Sequence, residues 1–373
     1  MHILLMKIAV VVPFIPKIEG NRMAFLIART LARNNETTVF AHTTAETLIP
    51  EIRKLCGNAN FETMKVIDDG RFGFLFALNY QFLRGRSRQL SSFMKKHGEF
   101  NHIILIANET HWLPQYFKDG HKTKFSLLLM ELHDRGMISL QQSNVAMAKI
   151  RNLLISPLYG FFKLFERNRF LTFDNIFANS TWTKTIFEYL YGIPIEDTIF
   201  AIDFDFFRPA KTSLESEKFI AVPTASLRLD PEGLKILKRL KQDHIPLKTY
   251  GSFRIPGFEH LGYIDDEEMV KILGRASATL FLFNYEALGL IPFESLACGT
   301  PVITYNKQGP SLELRYNPNV HFIDSYIELR ELCKSYINET KTDDVVQQCR
   351  NSVIQYNAEN VVDNLLAHLN GRA

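Results

Sequence analysis

Residues 285–305, YEALGLIPFESLACGTPVITY, carry the residue types and spacing that can do chemistry. An apolar, β-rich run ends near Phe283, and Glu286 follows it in a loop. Gly289 lets the backbone approach a ligand closely. A helix is predicted from Leu290, with Pro292 in its first turn, where a missing N–H is tolerated, and Gly299 ends it. That helix is about nine residues, roughly 13 Å long. The N–H groups of Gly289, Leu290 and Ile291 then make an anion site by geometry and dipole. Two carboxylates flank the site: Glu286 before the helix and Glu294 in its second turn. Carboxylates do not bind phosphate; they accept hydrogen bonds from hydroxyls. Sugars on either side of a diphosphate account for the combination.

The elements that must hold this segment alternate along the chain. MKIAVVV (6–12), TTVFAH (37–42), HIILIA (102–107), FSLLLM (125–130) and NIFAN (175–179) read as strands. Helical periods fall at 20–33, 45–55, 71–97, 142–169 and 180–189, the last ending at Gly192. The second half repeats the grammar, with strands at 218–222, 247–251, 278–283, 301–305 and 320–324. Its helices fit 231–242, 265–275, 290–298, 325–337 and a broken stretch over 343–369. Strand–helix alternation in both halves predicts two open parallel sheets covered by helices. The polar stretch RPAKTSLESE (208–217) reads as the linker. The expected organisation is an amino-terminal Rossmann-like unit over 1–208 and a second over 209–353, with a terminal helix at about 354–373 packing back on the first. Ligands are expected at the carboxyl ends of the strands, where the units face each other across a cleft.

Composition sets outer limits. The chain has 373 residues, 46% hydrophobic and 22% charged, the make-up of a folded protein rather than a disordered or disulfide-dense one. Net charge is +3, too small to argue for nucleic-acid binding. The halves differ: residues 1–200 hold 24 Lys+Arg against 17 Asp+Glu, and residues 201–373 hold 19 against 23. Cys56, Cys298, Cys333 and Cys349 form no metal-binding spacing and read as reduced packing residues of a cytosolic protein. No apolar run is long enough for a membrane-spanning helix, and MHILLMKIAVVVPF reads as a buried strand rather than a signal peptide because it lacks a basic leading region.

The chemistry-bearing segment resembles glycosyltransferase family 4, retaining enzymes of the GT-B fold. Their pattern E-G-F-G-L-x-x-x-E followed by A-x-A-C-G-x-P-V-I is met here by Glu286-Ala-Leu-Gly-Leu-Ile-Pro-Phe-Glu294 and Ser-Leu-Ala-Cys-Gly299-Thr-Pro-Val-Ile. Further likenesses run along nearly the whole chain: ANSTWTK (178–184) with YGIP (191–194), AIDFDFFRP (201–209), HLGYID (260–265) and YNAENVVDNLL (356–366). The resemblance implies a hexosyl transfer from a nucleotide sugar, UDP- or GDP-hexose, with retention of configuration and no metal. It implies Glu286 on donor-sugar hydroxyls and Glu294 on ribose hydroxyls. His133, at the end of the strand FSLLLMEL, resembles the histidine placed near the donor sugar. His111 is a rival at the neighbouring strand end, and with Asn108, Glu109 and Asn21 it is a candidate for acceptor binding.

The departures are specific. The amino-terminal loop reads Glu19-Gly20-Asn21-Arg22, keeping one of two adjacent glycines. SLRLDPEG keeps Arg228 for the diphosphate but has no Lys before Gly233, leaving Lys235 as a substitute from the next turn. The segment between Gly251 and Gly262 is short, so a helix near the base pocket is expected to be missing. Asp203-Phe-Asp205 mimics a D-x-D metal motif, but its position fits the family's exit segment better. Between Gly70 and Gly98 there are six Lys/Arg and no Asp/Glu, interleaved with aromatics, and residues 147–170 are similar. These read equally as solvated helix faces or as a surface for anionic lipid. The expected acceptor is a glycan or lipid-linked glycan at the cytoplasmic membrane face. A non-catalytic sugar-nucleotide-binding subunit is the alternative; a dinucleotide oxidoreductase is weak because PFIPKIEGN has no G-x-G-x-x-G.

Overall fold

The computed structural model describes residues 5–15, 18, 21–67, 79–106, 111–117, 123–130, 167–209, 218–225, 227, 230–283, 287–306 and 309–371, of which 79–84, 309 and 310 are described as backbone only. The chain divides into two units, Met1–Ala201 with Ala358–Ala373, and Ile202–Asn357.

The first unit carries β1 (Lys7–Val11), β2 (Phe14–Ile15), α1 (Arg22–Leu31), β3 (Glu36–Ala45), α2 (Ile49–Cys56), β4 (Asn60–Ile67), α3 (Asn79–Met94), β5 (His102–Ile106), β6 (Lys124–Leu129), β7 (Asn175–Ala178) and α4 (Thr181–Tyr191). The sheet order is β2-β3-β1-β5-β6-β7, with β4 also on β3, and every pairing is parallel. β1 lies between β3 and β5 and is buried from Ile8 onward, which explains its unbroken apolar run. β1 and β2 follow the same side of β3, pairing Lys7–Val11 with Glu36–Phe40 and Phe14–Ile15 with Thr43–Thr44. Pro13 interrupts that line and supplies only its carbonyl, which accepts from the N–H groups of His42 and Thr43. α4 opens on Ser180, whose hydroxyl accepts from the Thr183 N–H, and closes at Gly192 in the left-handed region.

The second unit carries β8 (Ile220–Pro223), α5 (Pro231–Gln242), β9 (Leu247–Tyr250), β10 (Glu259–His260), α6 (Asp266–Arg275), β11 (Ala278–Phe281), α7 (Leu290–Ala297), β12 (Val302–Tyr305), α8 (Gly309–Glu313), β13 (Val320–Ile323), α9 (Tyr326–Asn338) and α10 (Asp343–Asn351). Its parallel sheet runs β10-β9-β8-β11-β12-β13. No helix lies between β9 and β10; the chain turns through residues 251–258, and the Gly251 N–H reaches the Gly262 carbonyl at 2.8 Å. The exit segment belongs to this unit because the Ile202 N–H donates to the Tyr356 carbonyl at 2.8 Å.

The last helix, α11 (Ala358–Leu369), returns to the first unit. Arg33 pairs with Glu359, Asn364 donates to Asp197 at 2.8 Å, and the His368 ring meets Phe177 edge-on. Among the described residues, no helix is long and apolar enough to cross a membrane.

Gly299, just after α7, is required twice over. Its φ is +80°, and a Cβ there would lie 2.5 Å from Cγ1 of Val346 on α10. Gly192 shares the left-handed backbone (φ +59°) but faces open space. Gly299→Ala is expected to cost about 2–4 kcal/mol and Gly192→Ala only about 1 kcal/mol. Urea unfolding of the two variants, followed by tryptophan fluorescence and circular dichroism, checks the difference.

Candidate active site

The second unit places a site at its sheet edge by topology. β8 and β11 are neighbours, yet β8 leads through α5 to β9 on one side, whereas β11 leads through α7 to β12 on the other. The crevice where connections diverge lies outside the carboxyl ends of these strands, and both helices open there. Gly251, following β9, helps shape this edge: at φ +118°, a Cβ would come 3.1 Å from the Thr224 hydroxyl and 3.3 Å from the Ala225 nitrogen.

The two helices begin differently. α5 is capped by Asp230, whose carboxylate accepts from the N–H groups of Glu232 and Gly233 at 3.1 and 3.0 Å. Those donors are therefore occupied by the protein's own anion. Asp265, Ser325 and Thr342 cap α6, α9 and α10 in the same manner. α7 opens on Gly289, at φ 69° and ψ 87°, which has no side chain to give. The first-turn N–H groups of α7 have no intrahelical acceptor, and they suit an external anion.

Glu294 sits one turn into α7, 8% exposed. Its charge is felt by two buried neighbours. The Tyr250 phenol is pushed well above its ordinary value, mainly by burial and then by the Glu294 carboxylate. The Cys298 thiol is pushed up to about 12 by burial, with Glu294 adding to the shift and Lys341 and Arg350 opposing it. The Tyr250 hydroxyl has no hydrogen-bond partner among the described residues.

The rest of α7 is anchored. Ser295 donates to Thr279 on β11 at 2.7 Å. Arg350 on α10 donates to the carbonyl of Ala297, the last residue of α7, at 2.6 Å, and to those of Phe207 and Phe204 at 2.8 Å each. It therefore ties the helix end to the exit segment. Lys341, held down to about 8 by burial, donates to the carbonyls of Gly274 and Ala276 and to the Thr300 hydroxyl at 2.8, 3.0 and 2.7 Å. Sequence reasoning missed both cations. Their partners are mostly carbonyls, which every residue has, so no residue-type pattern announces them.

The sequence-derived candidates fall out as follows. Gly289, Leu290, Ile291 and Glu294 are brought together on α7. Lys235 is exposed on α5, on the face away from the buried Gly233, Leu237 and Leu240. Gly20, Asn108, Glu109, His133, Arg228 and Glu286 lie outside the described residues. Asn21 precedes α1 and its N–H donates to the Ile18 carbonyl at 2.8 Å. His111 is fully buried. Its Nε2 accepts from the Arg169 guanidinium at 3.2 Å, because arginine can only donate, which leaves the ring proton on Nδ1. Asp203 shapes a turn, its carboxylate accepting from the Phe206 N–H at 3.2 Å and its carbonyl from the Phe207 N–H at 2.7 Å. Among the described residues, no three His, Cys, Asp or Glu side chains are grouped to hold a metal ion.

Residues 256–347, which contain β10 through the start of α10, match the family described as glycosyl transferases group 1. No curated protein matches the chain significantly. Solved structures of similar fold include a glycosyltransferase from Rickettsia africae, 15% identical, covering 99% of both chains with a TM-score of 0.66. A sucrose-phosphate synthase from Thermosynechococcus elongatus is 13% identical, covering 99% of this chain and 100% of its own, also at 0.66. The Anabaena HepE protein, solved with UDP and glucose, is 14% identical, covering 98% and 100% at 0.65. The fold is therefore GT-B: two Rossmann-like units of parallel sheet and helices. Its second unit carries the glycosyl transferases group 1 match on the segment that contains α7.

Arg350 holds α7 from its far end, so its loss should loosen the helix that carries the site. Arg350→Leu is expected to lower stability by roughly 2–4 kcal/mol, since three charge-assisted bonds are lost. A helix held independently of Arg350 would instead leave the melting temperature unchanged, which a thermal-shift measurement would reveal.

Proposed function

We propose that this chain is a glycosyltransferase that takes a hexosyl group from a UDP- or GDP-hexose and passes it, with retention of configuration and without a metal ion, to a glycan or lipid-linked glycan acceptor. The observation that carries the reading is the Gly289-opened helix with Glu294 in its second turn, inside the segment that matches glycosyl transferases group 1. HepE's complex with UDP and glucose supports a uridine donor.

In this reading the donor diphosphate lies against the N–H groups at 289–291, and Arg228 adds a cation, with Lys235 standing in for the family's lysine. These donors stabilise negative charge that grows as the glycosidic bond breaks, which is where preorganised dipoles act most strongly. Glu294 accepts from the ribose hydroxyls. Glu286 orients the donor sugar through its hydroxyls, and His133 stabilises the oxocarbenium-like sugar. The acceptor hydroxyl attacks C1 on the face the diphosphate leaves, and its proton passes to the departing phosphate oxygen. The new bond keeps the anomeric configuration. Asn21 and Asn108 are assigned to acceptor binding in the first unit; His111, fully buried and bonded to Arg169, is not. The basic, aromatic stretches at 70–98 and 147–170 are assigned to an anionic surface at the cytoplasmic membrane face.

A second reading, a sugar-nucleotide-binding subunit without turnover, draws support from Asp230. Its carboxylate takes the first N–H groups of α5, so that helix places an anion at its opening.

Three outcomes test the proposal. Glu294→Ala should weaken UDP-sugar binding by about 1.5–3 kcal/mol, the worth of a charged hydrogen bond to a hydroxyl, while the melting temperature stays near wild type; calorimetry reads it directly. Activity should persist in excess EDTA, whereas complete loss restored by manganese would bring back Asp203 and Asp205 as ligands. Arg228→Ala should cut kcat/KM by at least about 10²-fold. A stable Arg228→Ala protein with unchanged kcat/KM would remove Arg228 from the site and favour the second reading.

A further inference from the structure

The first unit has a pocket to which the donor and acceptor assignments above give no ligand, although its Arg86 lies in the basic 70–98 stretch. It is lined by His42 and Thr43 of β3, Met64 and Lys65 of β4, and Gly85, Arg86 and Gln89 of α3, and it holds about 230 Å³. That is below the roughly 300–1,000 Å³ of pockets for drug-sized ligands, so it suits one small group and not a whole nucleotide sugar. Among the described residues lining it, Lys65 and Arg86 are cationic and none is acidic. The Arg86 guanidinium lies 4.8 Å from the centre of the Phe14 ring, which orients it. His42 accepts from or donates to Thr43 through Nδ1 at 2.7 Å and meets the Gln89 Oε1 through Nε2 at 3.1 Å. The carbonyl end of Gln89 is thus taken by His42, and its amide end is a donor.

Gly85 adds an independent observation. It sits in the middle of α3, where glycine costs about 1 kcal/mol relative to alanine. Packing does not demand it, because a Cβ there would meet nothing within 4 Å. A glycine that weakens its helix, has open space before it and lines a cationic pocket is explained by room kept for a ligand.

We propose that this pocket binds an oxyanion, phosphate or carboxylate, on a sugar-sized ligand. Arg86 offers paired N–H donors to two of its oxygens, Lys65 a point charge, and Gln89 a neutral donor. Gly85 admits the ligand against the helix backbone. That the ligand is the acceptor, a phosphorylated or acidic sugar, rests on the glycosyl-transfer reading; the anion site itself does not.

The test is titration calorimetry on the full chain with inorganic phosphate, glucose 6-phosphate and glucuronate, with glucose as the uncharged control and UDP titrated separately. Saturable binding of at least one oxyanion and none of glucose is expected. The tighter of glucose 6-phosphate and glucuronate identifies the oxyanion. Arg86→Gln and Lys65→Gln should each weaken that binding about tenfold or more and leave UDP affinity unchanged. Gly85→Ala should hold or raise the melting temperature yet weaken oxyanion binding. No saturable oxyanion binding overturns the proposal. So does binding that folded Arg86→Gln and Lys65→Gln proteins retain in full, or a Gly85→Ala protein of unchanged affinity. Loss of UDP binding alone would count against the glycosyl-transfer reading and leave the anion site standing.

Discussion

A helix cannot satisfy its own first N–H groups, and the second unit has one helix, α7, that opens on a glycine with no side-chain cap. Four of its helices close their openings with Asp230, Asp265, Ser325 or Thr342. α7 begins at a glycine in the left-handed region. A glycine at the helix start costs only about a few tenths of a kcal/mol relative to a good side-chain cap, and contacts along the rest of α7 hold it in place. Arg350 grips its last carbonyl, Ser295 ties it to β11, and Gly299 lets α10 close against the turn that follows. The sheet order supplies the rest, because β8 and β11 diverge beside that opening.

The charges around the opening sort by what they face. Glu294 is buried one turn inside and raises the proton affinity of Tyr250 and Cys298 around it. Asp230 faces the opening of α5 and uses its N–H groups. Its charge, with that of Glu232, adds to the burial that raises the Tyr305 phenol at the end of β12. The two helix openings at this switch point therefore differ: α5 carries its own carboxylate cap and α7 carries none.

Much of this was legible in the sequence where the signal was local. A helix fits 231–242 from the sequence, and the structure places α5 at those residues. α7 was legible from Gly289, Pro292 and Gly299. β1, β3, β5 and β6 were legible because they are buried on both faces. β4 was not: of NFETMKVI only Phe61 and Ile67 are buried, since among the described residues it pairs with β3 alone, and its Glu62 and Lys65 mask the strand pattern. β2 was hidden behind Pro13, and β10 is two residues long. The stretch 343–369 is expected to be broken, with a terminal helix at about 354–373 on the first unit, and the chain divides at Asn357 and Ala358. His111 reads from sequence as a strand-end candidate for acceptor binding, whereas it is buried against Arg169, 58 residues away, a separation that no local pattern encodes.

The claim that a diphosphate is held by the opening of α7 is tested most directly by backbone amide NMR of the isotope-labelled chain titrated with UDP. The account predicts saturable shifts of the Gly289, Leu290 and Ile291 amide signals, with those of Glu232 and Gly233, already bonded to Asp230, little changed. Shifts confined to Glu232 and Gly233, or UDP binding that leaves residues 289–291 unmoved, would contradict it.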